Sequence, residues 1–282
     1  MSEEQATREY NRLVNLGNAI AGVMVVKPEK WPFPELPSLP RNLRFLDARN
    51  LQLETLPHLP PTLIILHLSG NKKLKSLPTL PPLLEQLMID DTGITELPIL
   101  PFYLERLEVQ NSQITALPEL PSRLTALMCY NTSLQALPKL PASLRFLNCA
   151  ETQITALPTL PTGLSSLACG SCKLRVLPRL HFLLTVQCLS NPWCPEFAAI
   201  FPPLANLLGY LGASYEQKAA VNAYHDIQDI KATARDVLNV RTTIARADAI
   251  PDDVANVIGS YFSGNNTTLS HQIGVLRDLV HA

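Results

Sequence analysis

Two sets of residues have types and spacings that could do chemistry. Cys169 and Cys172 form a C-x-x-C pair, and Cys188 and Cys194 follow at separations that imitate a zinc site. Asp47, His67 and Ser69 supply the carboxylate, imidazole and hydroxyl of a nucleophilic triad. What either set can do depends on the elements that hold it, and one pattern holds both.

Leu-Pro recurs at Leu36, Leu56, Leu77, Leu97, Leu117, Leu137, Leu157 and Leu177. The unit is L-P-x-L-P-x-x-L-x-x-L-x-φ-x-x-N/T-x-L-x-x, with φ mostly apolar; "GNKK" adds one residue to the second unit and the last unit lacks one. The stretch L-x-x-L-x-φ alternates at its end like a short strand. The stretch L-P-x-L-P is excluded from helices and central strands, because proline lacks the N–H donor and fixes φ. It is expected to run extended or polyproline-like on the opposite side. No unit can bury its leucines alone, so the units must stack into a continuous core with one parallel sheet.

The cysteines fall on this grid. The φ column reads Ala48, Leu68, Ile89, Val109, Cys129, Cys149, Cys169 and Cys188, and the turn column three residues later reads Leu51, Asn71, Thr92, Ser112, Thr132, Thr152, Cys172 and Asn191. Cysteine replaces aliphatic residues on the inner face, where it packs as a small hydrophobe. The zinc reading stands as the alternative; Cys194, in "NPWCPEF", lies off the grid. A side chain in the turn column can bond to backbone groups of neighbouring coils.

This motif resembles the short, 20-residue class of leucine-rich repeats, found in type III secreted effectors of the YopM and IpaH kinds. Similar proline-rich arrays occur in proteins of large DNA viruses. The resemblance covers roughly residues 36–195. It implies an α/β leucine-rich-repeat solenoid with a short parallel β-sheet on the concave face, an extended convex side and helical caps at both ends. The IpaH ligase domain is not implied, since it needs a Cys-x-Asp sequence that this chain lacks.

The expected organisation is an N-terminal helical cap over 1–35, eight repeats over 36–195, and a small helical unit over 196–282. Tyr10, Leu13, Val14, Leu16 and Ile20 give residues 3–24 one apolar helical face. "SYEQ" (214–217) has capping-box spacing ahead of Val221, Tyr224, Ile227 and Ile230. His225, His271 and His281 stand alone on such patterns and are expected in solvent. "IPDDVANVIGSYF" (250–262) is similar to the opening of an F-box, which would make Ile250, Pro251, Val254, Ile258 and Tyr261 a docking motif for a Skp1-like protein. Pro-Asp-Asp is equally an ordinary helix start.

Alternation then assigns the outward, concave side chains. The candidate protein-binding residues are Phe45, Asp47, Arg49, Ile65, His67, Met88, Asp90, Arg106, Glu108, Met128, Tyr130 and Phe146. Met88, Met128, Tyr130 and Phe146 are expected as exposed apolar anchors. Asp47 and His67 are expected as neighbours forming an ion pair. Ser69 lies two residues along the strand from His67, about 7 Å away and too far for a hydroxyl–imidazole bond, so the triad is not expected to form.

Composition sets the remaining bounds. The 282-residue chain is 46% hydrophobic and carries a formal charge of −1. This leaves no electrostatic footprint for nucleic acid or an anionic membrane. The apolar runs are too short for a membrane span. The acidic opening "MSEEQATREY" does not read as a secretory signal, and six cysteines then imply reduced thiols in a cytoplasmic setting. No cofactor motif is present. The expectation is a non-enzymatic protein that binds a protein partner, with the resemblance implying a pathogen or viral factor in a host cell. An F-box-like ubiquitin-ligase adaptor is the alternative.

Overall fold

The computed structural model describes residues 8, 22–26, 33–36, 38–180, 185–188, 190–193, 221–229 and 231–232. Each coil contributes one three-residue strand: β1 (Val23–Val25), β2 (Phe45–Asp47), β3 (Ile65–His67), β4 (Gln86–Met88), β5 (Arg106–Glu108), β6 (Ala126–Met128), β7 (Phe146–Asn148), β8 (Ser166–Ala168) and β9 (Thr185–Gln187). The nine strands form one sheet in chain order. Every neighbouring pair is parallel, and the repeat columns are in register: Leu46 faces Leu66, Leu66 faces Leu87, and so on to Leu167 and Val186.

Inter-coil bonding outruns the strands. The ladder continues from Ala48 N to His67 O, Leu68 N to Met88 O and Cys129 N to Asn148 O. It reaches two residues further at Asn50 N to Ser69 O and Asn131 N to Ala150 O. At the other end of the strand the second proline of L-P-x-L-P closes a turn. Its carbonyl accepts from the leucine N–H three residues on, as in Leu104 N to Pro101 O at 3.1 Å. The L-P-x-L-P segments carry neither helix nor strand among the described residues.

The core is the pile of inward columns. Leu43, Leu63, Leu84, Leu104, Leu124 and Leu144 are fully buried, as is the strand-centre column from Leu46 to Leu127. Burying one such leucine contributes roughly 1.5–3 kcal/mol, so the stack carries the stability that no single coil could supply. Cys129, Cys149 and Cys169 lie inside this pile with no exposed surface.

The array begins one coil earlier than the Leu-Pro count. The end of the stretch expected as a helix over 3–24 is instead β1, which pairs with β2 through Val23↔Phe45, Met24↔Leu46 and Val25↔Asp47; apart from residue 8, residues 3–21 lie outside the described residues. Met24 and Val26 take the inward positions of Leu46 and Ala48 and are buried, whereas Val23 and Val25 are exposed. "VMVV" lacks the Leu-Pro lead-in, yet β-branched residues suit a strand and an open sheet edge offers it a full ladder. Gly22, at φ 77°, turns the chain into this strand, and its carbonyl accepts from Arg44 N and Phe45 N.

The chain divides into two compact units, residues 1–225 and 226–282. Within the first, residues 221–225 open a helix against the final coil. Val221 is fully buried in the core cluster, and the Asn222 side chain bonds both N and O of Leu180, at 3.0 and 3.1 Å. His225 is not left to solvent as its isolated position implied: its Nε2 lies 2.7 Å from the Leu177 carbonyl oxygen. A proline-flanked loop has carbonyls that no ladder satisfies, so a polar helix side chain takes them.

Candidate protein-binding face

The turn column holds the face rigid from behind. Asn71 donates to Leu68 O and Ala48 O and accepts from Leu51 N and Leu53 N, so one buried amide stitches two coils together. Thr92, Ser112, Thr132 and Thr152 each donate to the carbonyl three residues earlier. Asn191 repeats the asparagine pattern on Cys169 O and Cys188 O.

Between the φ and turn columns runs a set of left-handed residues: Asn50, Gly70, Asp91, Asn111, Asn131, Glu151, Ser171 and Ser190, at φ between 51° and 79°. Glycine, asparagine and aspartate tolerate this region best. Their recurrence in one column was a sequence signal for a tight turn at the end of every strand. A Cβ on Gly70 would fall 1.9 Å from Asn50 Oδ1, so a larger residue there would require the Asn50 side chain to turn aside.

Cys172 occupies a turn position but, unlike the threonines, reaches back to the preceding coil. Its Sγ lies 3.1 Å from Cys149 O and 3.3 Å from Thr152 Oγ1. The Cys149 thiol bonds to its sulfur, and the Thr152 hydroxyl and backbone N–H groups add to this; together they outweigh burial and lower its pKa to about 6. Burial pushes Cys188 up to about 12 and Cys129 and Cys169 up as well. All five described cysteines are free and buried. No cluster of three or more potential metal ligands occurs among the described residues; Cys194 lies outside them.

Register brings the outward residues onto one face in three columns. Phe45, Ile65, Gln86, Arg106, Ala126 and Phe146 form the first; Asp47, His67, Met88, Glu108, Met128 and Asn148 the second. Arg49, Ser69, Asp90, Gln110 and Tyr130 follow two residues on. The expected apolar anchors differ in reach. Phe146 is 48% exposed, but Met88, Met128 and Tyr130 are only half-buried. On a parallel sheet adjacent coils stand about 5 Å apart, so large side chains lean on their column neighbours. Val23 and Val25, absent from the sequence-based set, extend the apolar end beside Phe45 and Ile65.

The polar contacts also differ from expectation. Asp47 and His67 are register partners, yet Asp47 bonds to Arg49 instead, with Nε–Oδ1 at 2.8 Å and Nη2–Oδ2 at 2.7 Å. A planar guanidinium satisfies both carboxylate oxygens, which a single imidazole N–H cannot do. Burial raises the Asp47 pKa, but the Arg49 hydrogen bonds and charge outweigh it and leave the net shift downward. Ser69 donates to Asp90 rather than approaching His67. The triad is therefore not assembled.

His67 sits with its ring edge-on to Phe45, centroids 5.3 Å apart. Neither ring nitrogen has a hydrogen-bond partner, and burial lowers its pKa, leaving it neutral at neutral pH. Arg106 pairs with Glu108, and Gln110 Nε2 reaches Glu108 Oε2 at 3.5 Å. Gln110 Oε1 is buried without a partner. Alternation put Gln110 on this face, but polarity alone could not foretell that its side chain would be buried there.

A separate group of apolar side chains is exposed off this face. Leu83, Ile99, Phe102 and Tyr103 belong to it, with the Arg123 guanidinium 5.2 Å from the Tyr103 ring centre. The residues assigned to adaptor docking, Ile250, Pro251, Val254, Ile258 and Tyr261, lie outside the described residues. No described helix is long and apolar enough to cross a membrane.

Stacked one-strand coils, a leucine core and an amide-and-hydroxyl turn ladder define a leucine-rich-repeat solenoid of the short class. Solved structures agree. The chain is similar to YopM, a leucine-rich effector protein from Yersinia pestis, at 28% identity and TM-score 0.54 over 70% of this chain and 64% of that one. It is similar in fold to the leucine-rich-repeat domain of a Shigella effector, at 22% identity and TM-score 0.56 over 75% of this chain and 89% of that one. It spans about half, 49%, of YopM from Yersinia enterocolitica, with TM-score 0.46. No protein-family model and no curated protein matches the sequence.

Proposed function

We propose that this protein is a non-enzymatic interaction module that binds a partner protein through its concave face, acting as a factor inside a host cell. The observation that carries the reading is the register. Nine coils in parallel order align Phe45, Asp47, His67, Met88, Glu108, Met128 and Phe146 as one continuous surface on a rigid backing. Eight strand-to-strand steps span roughly 40 Å, enough for a standard interface of about 800 Å² per partner. Preorganisation lowers the ordering cost of binding, because the turn ladder and core are set before any partner arrives. The likeness to a leucine-rich effector supports the host-cell setting and a host-cytoplasm location.

Immobilised wild-type protein is expected to retain a discrete partner from host-cell lysate, and the double variant Met128→Ala, Tyr130→Ala is expected to lose it while keeping the wild-type melting temperature. Equal retention by both proteins would remove the face from consideration.

A further inference from the structure

Off the concave face, the coils of β4 and β5 expose apolar side chains that the fold does not call for. Leu83 belongs to the first coil and Ile99, Phe102 and Tyr103 to the second; Ile99 is 89% exposed and Phe102 60%. The repeat supplies its own comparison. Thr62, Arg123 and Ser143 hold the Leu83 and Tyr103 position in other coils, Ser122 and Ala142 the Phe102 position, and Thr79, Glu119 and Lys139 the Ile99 position. Equivalent coils are thus built with polar or small residues at these places. Leu83 and Tyr103 are column neighbours on coils about 5 Å apart, tied just beyond them by Glu105 N to Glu85 O at 2.8 Å. The Phe102 and Tyr103 rings meet edge to face with centroids 5.3 Å apart. Ile99 lies three residues before Phe102 on the same coil.

The charges that border these side chains are mostly acidic. Arg123 lies over the Tyr103 ring at 5.2 Å and is matched by Glu105, 3.4 Å away. Glu85, beside Glu105 in its column, and Glu119, one coil along from Ile99, are exposed and form no ion pair among the described residues. The border therefore carries negative charge that the chain leaves unmatched. A second copy of this chain would bring the same acids to a symmetric contact, and like charges across an interface repel. The four apolar residues expose on the order of 500 Å², close to the apolar share of a standard interface of roughly 800 Å² per partner.

We infer that this edge of the solenoid is a second docking surface, separate from the concave face, for a partner segment that is apolar at its centre and bears lysine or arginine at its ends. Leu83, Ile99, Phe102 and Tyr103 take the apolar centre, and Glu85 and Glu119 take the flanking cations.

The test titrates the full chain, isotope-labelled at leucine and isoleucine methyls and at phenylalanine and tyrosine rings, with acetyl-Lys-Leu-Phe-Leu-Lys-amide by NMR. The charge-reversed peptide acetyl-Glu-Leu-Phe-Leu-Glu-amide is the control. The basic peptide is expected to shift the Leu83, Ile99, Phe102 and Tyr103 signals saturably, to leave Phe146 unmoved, and to bind about tenfold more tightly than the acidic one. The double variant Phe102→Ser, Tyr103→Thr, which installs residue types that other coils carry there, is expected to abolish the response at an unchanged melting temperature. Glu85→Lys, Glu119→Lys leaves the apolar side chains intact and is expected to reverse the preference between the peptides. Equal affinities, no saturable response, shifts centred on Phe146, or a preference that survives the charge reversal would each overturn the inference. Wild-type dimers in sedimentation equilibrium that the Phe102→Ser, Tyr103→Thr variant dissociates would overturn it in favour of a second copy. The lysate capture that reads Met128 and Tyr130 is independent of all of these outcomes.

Discussion

Asp47 stays ionised on a half-desolvated face because Arg49 lies two residues away and points the same way. Its folded-state pKa lies below its unfolded value, so the pair stabilises the fold above the ordinary aspartate range. That contribution is lost as pH falls through the folded value. Arg49→Met is therefore expected to lower stability at neutral pH by about 1 kcal/mol, a modest amount because half of the arginine side chain is in water. Thermal melts across pH should show the two proteins converging in acid, where Asp47 is protonated in both. A constant difference down to strongly acidic pH would show that packing of the arginine stem, not its charge, is the source. His67 follows the opposite logic: burial outweighs the pull of three carboxylates and lowers its pKa, so the ring remains neutral.

At the scale of the coil, the left-handed residue after each strand is the costly step. Asparagine, aspartate and glycine take it at five coils, and Asn131 donates to Asn111 Oδ1 at 2.9 Å, an amide ladder between neighbouring turns. Glu151 takes the same backbone at φ 56° with a side chain that gains nothing from it. Left-handed backbone costs an ordinary residue about 1 kcal/mol. Glu151→Asn is expected to recover about half of that or more and to extend the ladder by one coil, raising the melting temperature by roughly 2 °C. A lower melting temperature would mean that the exposed glutamate side chain serves the fold in another way. Cys172 shows the complementary case. It fills a turn position where threonine and asparagine stand elsewhere, and its sulfur joins the same carbonyl network.

The repeat array behaves as a one-dimensional stack, in which each coil is stabilised by its two neighbours and the ends must be covered. Among the described residues at the C-terminal end, Val221 enters the core, Asn222 satisfies Leu180, and His225 meets Leu177. A chain ending at His225 keeps these contacts and is expected to unfold cooperatively in urea. A chain ending at residue 220 is expected to lose stability, because Leu177 and Leu180 become exposed and two backbone groups lose their partner. Equal midpoints for the two truncations would show that the last coil caps itself.

Much of this architecture was legible in the residues alone. Leu-Pro spacing fixed coil length, because proline excludes regular structure wherever it recurs. Period-two alternation fixed which leucines and cysteines turn inward, and the column argument placed Cys129, Cys149 and Cys169 in the core. Strand β1 escaped because it has the sheet's alternation without the Leu-Pro signal. Only the tertiary structure decided how the polar side chains pair: Asp47 with Arg49 and not His67, Ser69 with Asp90, and Gln110 buried with an unused oxygen. The reason is physical. Inward positions are chosen by hydrophobicity, which is local and non-directional, whereas hydrogen bonds on a shared face are settled by direction and competition among neighbours twenty residues apart in the chain.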